Sequence, residues 1–273
     1  MMNSVLGQGT WNMGEAASNR AQEVRALQLG IDLGMTVIDT AEMYADGGSE
    51  QVVGEAIAGR RSEVYLVSKV LPQNASRKGV IAACERSLQR LKVDHIDLYL
   101  LHWQGSHPLQ DTLAGFLELK KSGKIRDFGV SNFDAHDMRD AAQLRGGDEI
   151  AANQVLYNLR RRGIEWDLLP WCREREIPLM AYSPLESDRN EQRALLNDPA
   201  LLAVAAHHKA TPAQIALAWL MRDPTVVPIP KAASEEHVRE NAGAMAITLR
   251  QDDFATLDKA FPPPRRATPL DVL

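Results

Sequence analysis

The chain of 273 residues has only two cysteines, no apolar run of membrane-spanning length and no surplus of positive charge. Each absence closes a class of function. Cys84 and Cys172 stand alone, match no metal or redox spacing, and read as free, reduced thiols. No stretch approaches the roughly 18 apolar residues of a transmembrane helix. The opening Met1-Met2-Asn3-Ser4 has no signal-peptide character, so a cytoplasmic protein with no membrane partner is expected. A net charge of −5 leaves no electrostatic case for a nucleic-acid partner. A doubly wound dinucleotide fold is disfavoured by another gap. Gly7-Gln8-Gly9 is followed by Thr10-Trp11-Asn12, so the third glycine of the fingerprint is missing and no helix opens at once.

What is present is an alternation. Short β-like runs fall at Val5–Gly9, Thr36–Asp39, Val64–Lys69, Ile96–His102, Phe128–Ser131, Ile150–Gln154, Leu179–Tyr182 and Val226–Ile229. Between them, apolar residues recur at helical spacing, as in Val24, Leu27, Ile31 and Leu33 before the second run. Thr211-Pro212 has the form of an N-cap followed by proline in the first turn. With no linker or composition break, the pattern predicts one α/β domain over residues 1–273, a (β/α)8 TIM barrel.

A barrel puts its chemistry at the carboxyl ends of the strands. The runs here end in Gly9-Thr10-Trp11, Asp39, Lys69, His102-Trp103, Ser131-Asn132, Asn153-Gln154, Tyr182-Ser183 and Pro230-Lys231. Any one polar ending is ordinary, because strand ends meet water; the set of eight is the signal. Lys69 alone could be a solvent residue at the barrel mouth, a Schiff-base nucleophile or a cation that perturbs a neighbour. Asp39, one strand away, favours an ion pair. A charged ammonium beside Tyr44 would then lower the phenol pKa from near 10 towards a working range. His102 alone would more often be structural; beside the other three it becomes a donor to a substrate carbonyl. No metal role is expected, and His207-His208 read as a solvated helix face.

These residues also carry a family resemblance. The chain closely resembles the aldo-keto reductases, NAD(P)H-dependent barrel enzymes that reduce carbonyls to alcohols. The motifs are Gly7-Gln8-Gly9-Thr10-Trp11, Asp39-Thr40-Ala41-Glu42-Met43-Tyr44, Leu66-Val67-Ser68-Lys69 and Asp97-Leu98-Tyr99-Leu100-Leu101-His102-Trp103, continuing through Gly129-Val130-Ser131-Asn132-Phe133, Ala181-Tyr182-Ser183-Pro184-Leu185 and Ile229-Pro230-Lys231. Ala45-Asp46-Gly47-Gly48 and Asp167-Leu168-Leu169-Pro170-Trp171-Cys172 resemble the bacterial branch that reduces methylglyoxal and related small aldehydes.

The resemblance implies a catalytic tetrad of Asp39, Tyr44, Lys69 and His102, with Tyr44 as the general acid. It implies that Ser131, Asn132 and Gln154 meet the nicotinamide carboxamide and that Tyr182 stacks on its ring. Ser183 and Leu185 would run beside the pyrophosphate. Lys231, with Ser234, His237, Glu240 and Asn241, would take the 2′-phosphate and adenine, while Trp11 and Trp103 would wall the substrate pocket together with Tyr44 and His102. Ser234 reads equally as a helix cap. His237 stands where many relatives have arginine, so NADP(H) is expected with NAD(H) as a weaker alternative.

Further expectations concern the ends and the competing functions. The hairpin that usually plugs the barrel floor is missing, with only Met1–Ser4 available. The short proline-rich tail after Phe261 suggests an open site with broad specificity, and Glu186–Asp198 reads as a loop over the cofactor. A monomer is expected, with a dimer left open. Competing readings are a Schiff-base lyase built on Lys69, a nucleotide-sensing barrel without catalysis, and a reductase of larger sugar or keto-acid carbonyls.

Overall fold

The computed structural model describes residues 5–273. The expectation about a missing amino-terminal hairpin falls on residues 1–4, outside the described residues. Eight parallel strands follow one another around the sheet in chain order. They are β1 (Gly7–Gly9), β2 (Val37–Asp39), β3 (Tyr65–Val70), β4 (Ile96–Leu101), β5 (Ile125–Ser131), β6 (Ile150–Leu156), β7 (Leu179–Tyr182) and β8 (Val226–Pro228). The ring closes where Gly9 bridges to Lys231 and the Gly9 amide donates to the Pro230 carbonyl at 3.0 Å. Glycine is required there: a Cβ on Gly9 would stand 2.7 Å from the Ile229 carbonyl oxygen. The expected (β/α)8 barrel is what forms.

The helices are α1 (Arg20–Asp32), α2 (Gly48–Ala56), α3 (Arg77–Leu91), α4 (Leu109–Lys121), α5 (Ala135–Ala142), α6 (Leu168–Glu174), α7 (Arg189–Leu196), α8 (Pro199–His208), α9 (Pro212–Leu220), α10 (Glu235–Gly243) and α11 (Gln251–Ala260). Thr211 caps α9 as its sequence predicts, in a reciprocal capping box with Gln214. The main core lies between strands and helices, with Leu27, Ile31, Ile38, Val53, Leu66, Phe116, Phe128 and Trp219 all buried.

Two expectations change here. Glu186–Asp198 is mostly helix, because Asp188 accepts from the amides of Asn190 and Glu191 and starts α7. His208 is not a solvated residue: its Nε2 lies 2.7 Å from Asp253 Oδ2 and its side chain is largely buried. His207, next to it, is exposed.

Side chains alternate along each strand, so inward positions recur every second residue. Val37, Val67, Leu100, Ala152, Met180 and Ile229 belong to one apolar cluster inside the barrel. Two residues on from each of these come Asp39, Lys69, His102, Gln154, Tyr182 and Lys231. The period of two therefore brings six polar residues to one rim above a dry plug.

Candidate active site

The rim encloses a cavity of about 480 Å³. It is lined by Trp11, Asp39, Tyr44, His102, Trp103, Ser131, Asn132, Gln154, Tyr182, Ser183, Leu185 and Lys231 among others. Lys69 lies immediately behind the wall and is fully buried. The four remaining expected residues, Ser234, His237, Glu240 and Asn241, do not line the cavity. Ser234 caps α10, accepting from the His237 amide at 3.3 Å, and the others are on that helix.

Lys69 organises the rim. Its Nζ donates to Asp39 Oδ2 at 2.7 Å, to the Thr40 carbonyl at 2.9 Å and to Tyr44 Oη at 3.0 Å. An ammonium has three protons, and all three are committed. Burial by itself would lower the Lys69 pKa, yet the Asp39 charge, with the hydrogen bonds to Asp39 and Tyr44, holds it above the ordinary lysine value. A protonated amine with no free lone pair is not a nucleophile, which removes the physical basis of the Schiff-base reading.

Tyr44 differs from its expectation. Burial pushes the phenol above its ordinary pKa; Lys69 pulls it down, but not enough to outweigh the loss of solvent. The sequence exposes the charge but not the desolvation. The phenol is therefore the proton-bearing form at neutral pH. His102 meets Tyr44 edge to face at 5.7 Å between ring centres. Burial, reinforced by the Lys69 charge, drives its pKa down to about 2, so the ring is neutral. Its Nδ1 is buried and has no hydrogen-bond partner among the described residues. A neutral imidazole here can donate or accept a hydrogen bond but carries no charge of its own.

The turn that carries Tyr44 is strained. Ala45 and Asp46 both sit at φ 51°, in the left-handed region that non-glycine residues avoid. A buried hydroxyl cluster braces it from below. Ser49 Oγ donates to Thr10 Oγ1 at 2.7 Å, and Thr10 Oγ1 donates to the Asp39 carbonyl at 2.9 Å. Asn132, at φ 61°, and Ser183, at φ 45°, repeat the pattern on the opposite rim. There Tyr182 Oη donates to Asn132 Oδ1 at 2.8 Å, and Ser131 Oγ donates to the Gln154 carbonyl at 2.9 Å.

Family-model and similarity comparisons bear on this geometry. The model described as the Aldo/keto reductase family matches residues 5–261. The chain belongs to the aldo/keto reductase family. It is 52% identical to methylglyoxal reductase YeaE of Escherichia coli (strain K12), over 98% of this chain and 95% of that one. It is 34% identical to glyoxal reductase of Bacillus subtilis (strain 168), over 88% and 84% of the two chains. Among solved structures, the Klebsiella pneumoniae aldo/keto reductase in complex with NADP and acetate superposes with a TM-score of 0.96 at 50% identity, covering 98% of this chain and 95% of that one.

Several features of this family member escaped the sequence. Met43, Gln192 and Leu273 also line the cavity. Met43 was inside a motif already singled out; its exposure there, 39%, was the missing signal. Glu42, also in that motif, accepts from the Leu71 amide at 2.8 Å and Asn74 Nδ2 at 2.9 Å, fixing the loop beyond Lys69. The short tail returns to the rim at its end. Leu270 packs on the core, Asp271 lies 3.8 Å from Arg161, and Leu273 lines the cavity together with Tyr182.

The cavity wall also carries a cation suited to a phosphate. Lys231 is exposed where it lines the cavity, and no carboxylate among the described residues pairs with it. The first turn of α10, close by in sequence, carries Glu235 and Glu236.

Proposed function

We propose that this chain reduces small aldehydes and α-oxoaldehydes of the methylglyoxal class to alcohols with NADPH, with Tyr44 as the general acid. The observation that carries the proposal is the fully engaged Lys69 ammonium, bonded on one side to Asp39 and on the other to a protonated phenol facing the cavity. The names of the Escherichia coli and Bacillus subtilis relatives support the substrate class. Ser131, Asn132, Gln154 and Tyr182 would hold the nicotinamide, Ser183 and Leu185 the pyrophosphate, and Lys231 the 2′-phosphate, with Ser234, His237, Glu240 and Asn241 around the adenine end. When bound, NADPH supplies the hydride that reduces the carbonyl carbon.

The protein's own work is on the oxygen. As the carbonyl π pair moves onto oxygen, the Tyr44 O–H bond breaks and its proton goes to that oxygen. The phenolate left behind is stabilised by the Lys69 ammonium, whose charge Asp39 secures. His102, neutral, donates to the same oxygen and orients it. Trp11 and Trp103 wall the pocket, leaving an apolar slot for a small carbonyl. We further take residues 1–273 to act as one cytoplasmic barrel unit, monomeric in solution. Among the described residues no helix is long and apolar enough to cross a membrane.

The test is loss of reduced-nicotinamide absorbance with methylglyoxal, run in parallel with NADPH and NADH. Tyr44→Phe is expected to lower kcat by roughly 10²–10⁴-fold while NADPH still binds. Turnover that persists in Tyr44→Phe would remove the assigned acid. Tight NADPH binding without turnover of any carbonyl would favour a nucleotide sensor. A small NADPH/NADH ratio is expected from His237 and the two glutamates that follow Ser234.

A further inference from the structure

Gln154 makes a contact that its place in the cofactor cradle does not require. It lies on the inward row of β6, while Asp39 ends that of β2, four strands away around the ring. Its Nε2 nevertheless donates to Asp39 Oδ1 at 2.8 Å, a buried bond joining residues 115 apart in sequence. The other near acceptor is the Met180 sulfur at 3.8 Å, a weak one, so Asp39 is the strong partner. Asp39 thus has one donor on each oxygen: the Lys69 ammonium on Oδ2 and the Gln154 amide on Oδ1.

Two donors on two oxygens fix the plane of a carboxylate. With only Lys69 bound, Asp39 could turn about its Cβ–Cγ bond and leave the buried Oδ1 without a protein donor, an unfavourable state. The direction of Oδ2 decides where the ammonium sits, and the ammonium reaches Tyr44 Oη at 3.0 Å. The main chain of Gln154 ties in the other side: its carbonyl accepts from Ser131 Oγ and from the Asn132 amide, both at 2.9 Å.

We propose that Gln154 is a positioning residue that acts on Tyr44 through Asp39 and Lys69, and so joins the nicotinamide cradle to the proton donor. This rests on the reading of Tyr44 as the acid. A role confined to cofactor binding would make the effect of Gln154 independent of Asp39. A positioning role makes the two effects one.

A double-mutant cycle separates these. Gln154→Met removes the donor at similar volume, and Asp39→Asn removes the charge it orients. The kcat values are measured with saturating NADPH and methylglyoxal, alongside the Kd for NADPH and a urea melt for each variant. Gln154→Met is expected to lower kcat roughly ten- to a hundred-fold in the wild-type background, the scale of one hydrogen bond to a charged group. In the Asp39→Asn background it should lower kcat by less than about twofold, within the scatter expected for fully coupled sites. Equal factors in both backgrounds would overturn the proposal. Should Asp39→Asn fail to fold, Lys69→Met serves as the second background and is read the same way. Wild-type turnover in Tyr44→Phe would instead sink the acid assignment, a result independent of whether Gln154 and Asp39 couple.

Discussion

Two neighbouring residues of β3, Ser68 and Lys69, point to opposite sides of the same strand and into two different buried ion pairs. Outward, in the helix layer, Ser68 Oγ donates to Glu50 at 2.6 Å, and Arg90 Nε closes on the same carboxylate at 2.5 Å. Inward, at the rim, Lys69 pairs with Asp39 at 2.7 Å. Both carboxylates are almost completely buried. Burial and charge therefore do not distinguish them. The inner pair has a titratable phenol as its next partner and a cavity in front of it; the outer one ends in a seryl hydroxyl and packed side chains. A buried ion pair becomes a candidate site only where it meets a proton donor and an opening.

That difference can be broken by substitution. Lys69→Met is expected to lower kcat by about 10²–10⁴-fold, because the phenolate would form beside an uncompensated Asp39. Glu50→Gln should leave kcat of the folded enzyme within about twofold and remove roughly 1.5–3 kcal/mol of stability by weakening the bonds of the buried carboxylate to Arg90 and Ser68. Turnover in reductase assays and urea melts on both variants check this. A collapse of kcat in Glu50→Gln would show that the outer pair belongs to the site after all.

A smaller effect follows from His102. Its folded pKa, about 2, lies below the ordinary 6.5, so the unfolded chain binds the proton first as pH falls. Stability that is complete above pH 6.5 is lost progressively below it. Between pH 7 and pH 5 the wild type should lose about 2 kcal/mol more than His102→Gln. Parallel acid dependence in the two proteins would mean that the ring is not held neutral.

The smallest effect concerns the strained turn. Ala45→Gly should relieve the left-handed penalty and, after the extra backbone entropy of glycine, stabilise the fold by up to about 1 kcal/mol. A drop in kcat with that gain would show that the strain helps hold Tyr44 in place; an unchanged kcat would make the turn a purely structural feature.

Much of the rim was legible because strand ends are local. Asp39, Lys69 and His102 each close a short apolar run, and a period of two aims each inward whatever the neighbouring strands do. Other features depended on encounters that no local pattern encodes. Gln154 was readable as a cradle residue but not as a partner of Asp39, since the bond spans the barrel mouth. His208 looked solvated because Asp253, which it meets, comes 45 residues later. The proline-rich composition of the tail says nothing about Leu273 reaching the cavity. The stretch 186–198 read as a loop because its charges masked the Asp188 cap.

The sequence by itself determined the alternation of strands and helices, and with it the barrel and the identity of the residues at its rim, because side-chain period and capping act over a few residues. Tertiary structure alone decided the direction in which the Tyr44 pKa moves. The pull of Lys69 could be anticipated from neighbouring strand ends, but the opposing desolvation is a sum over everything that packs around the phenol, and it wins.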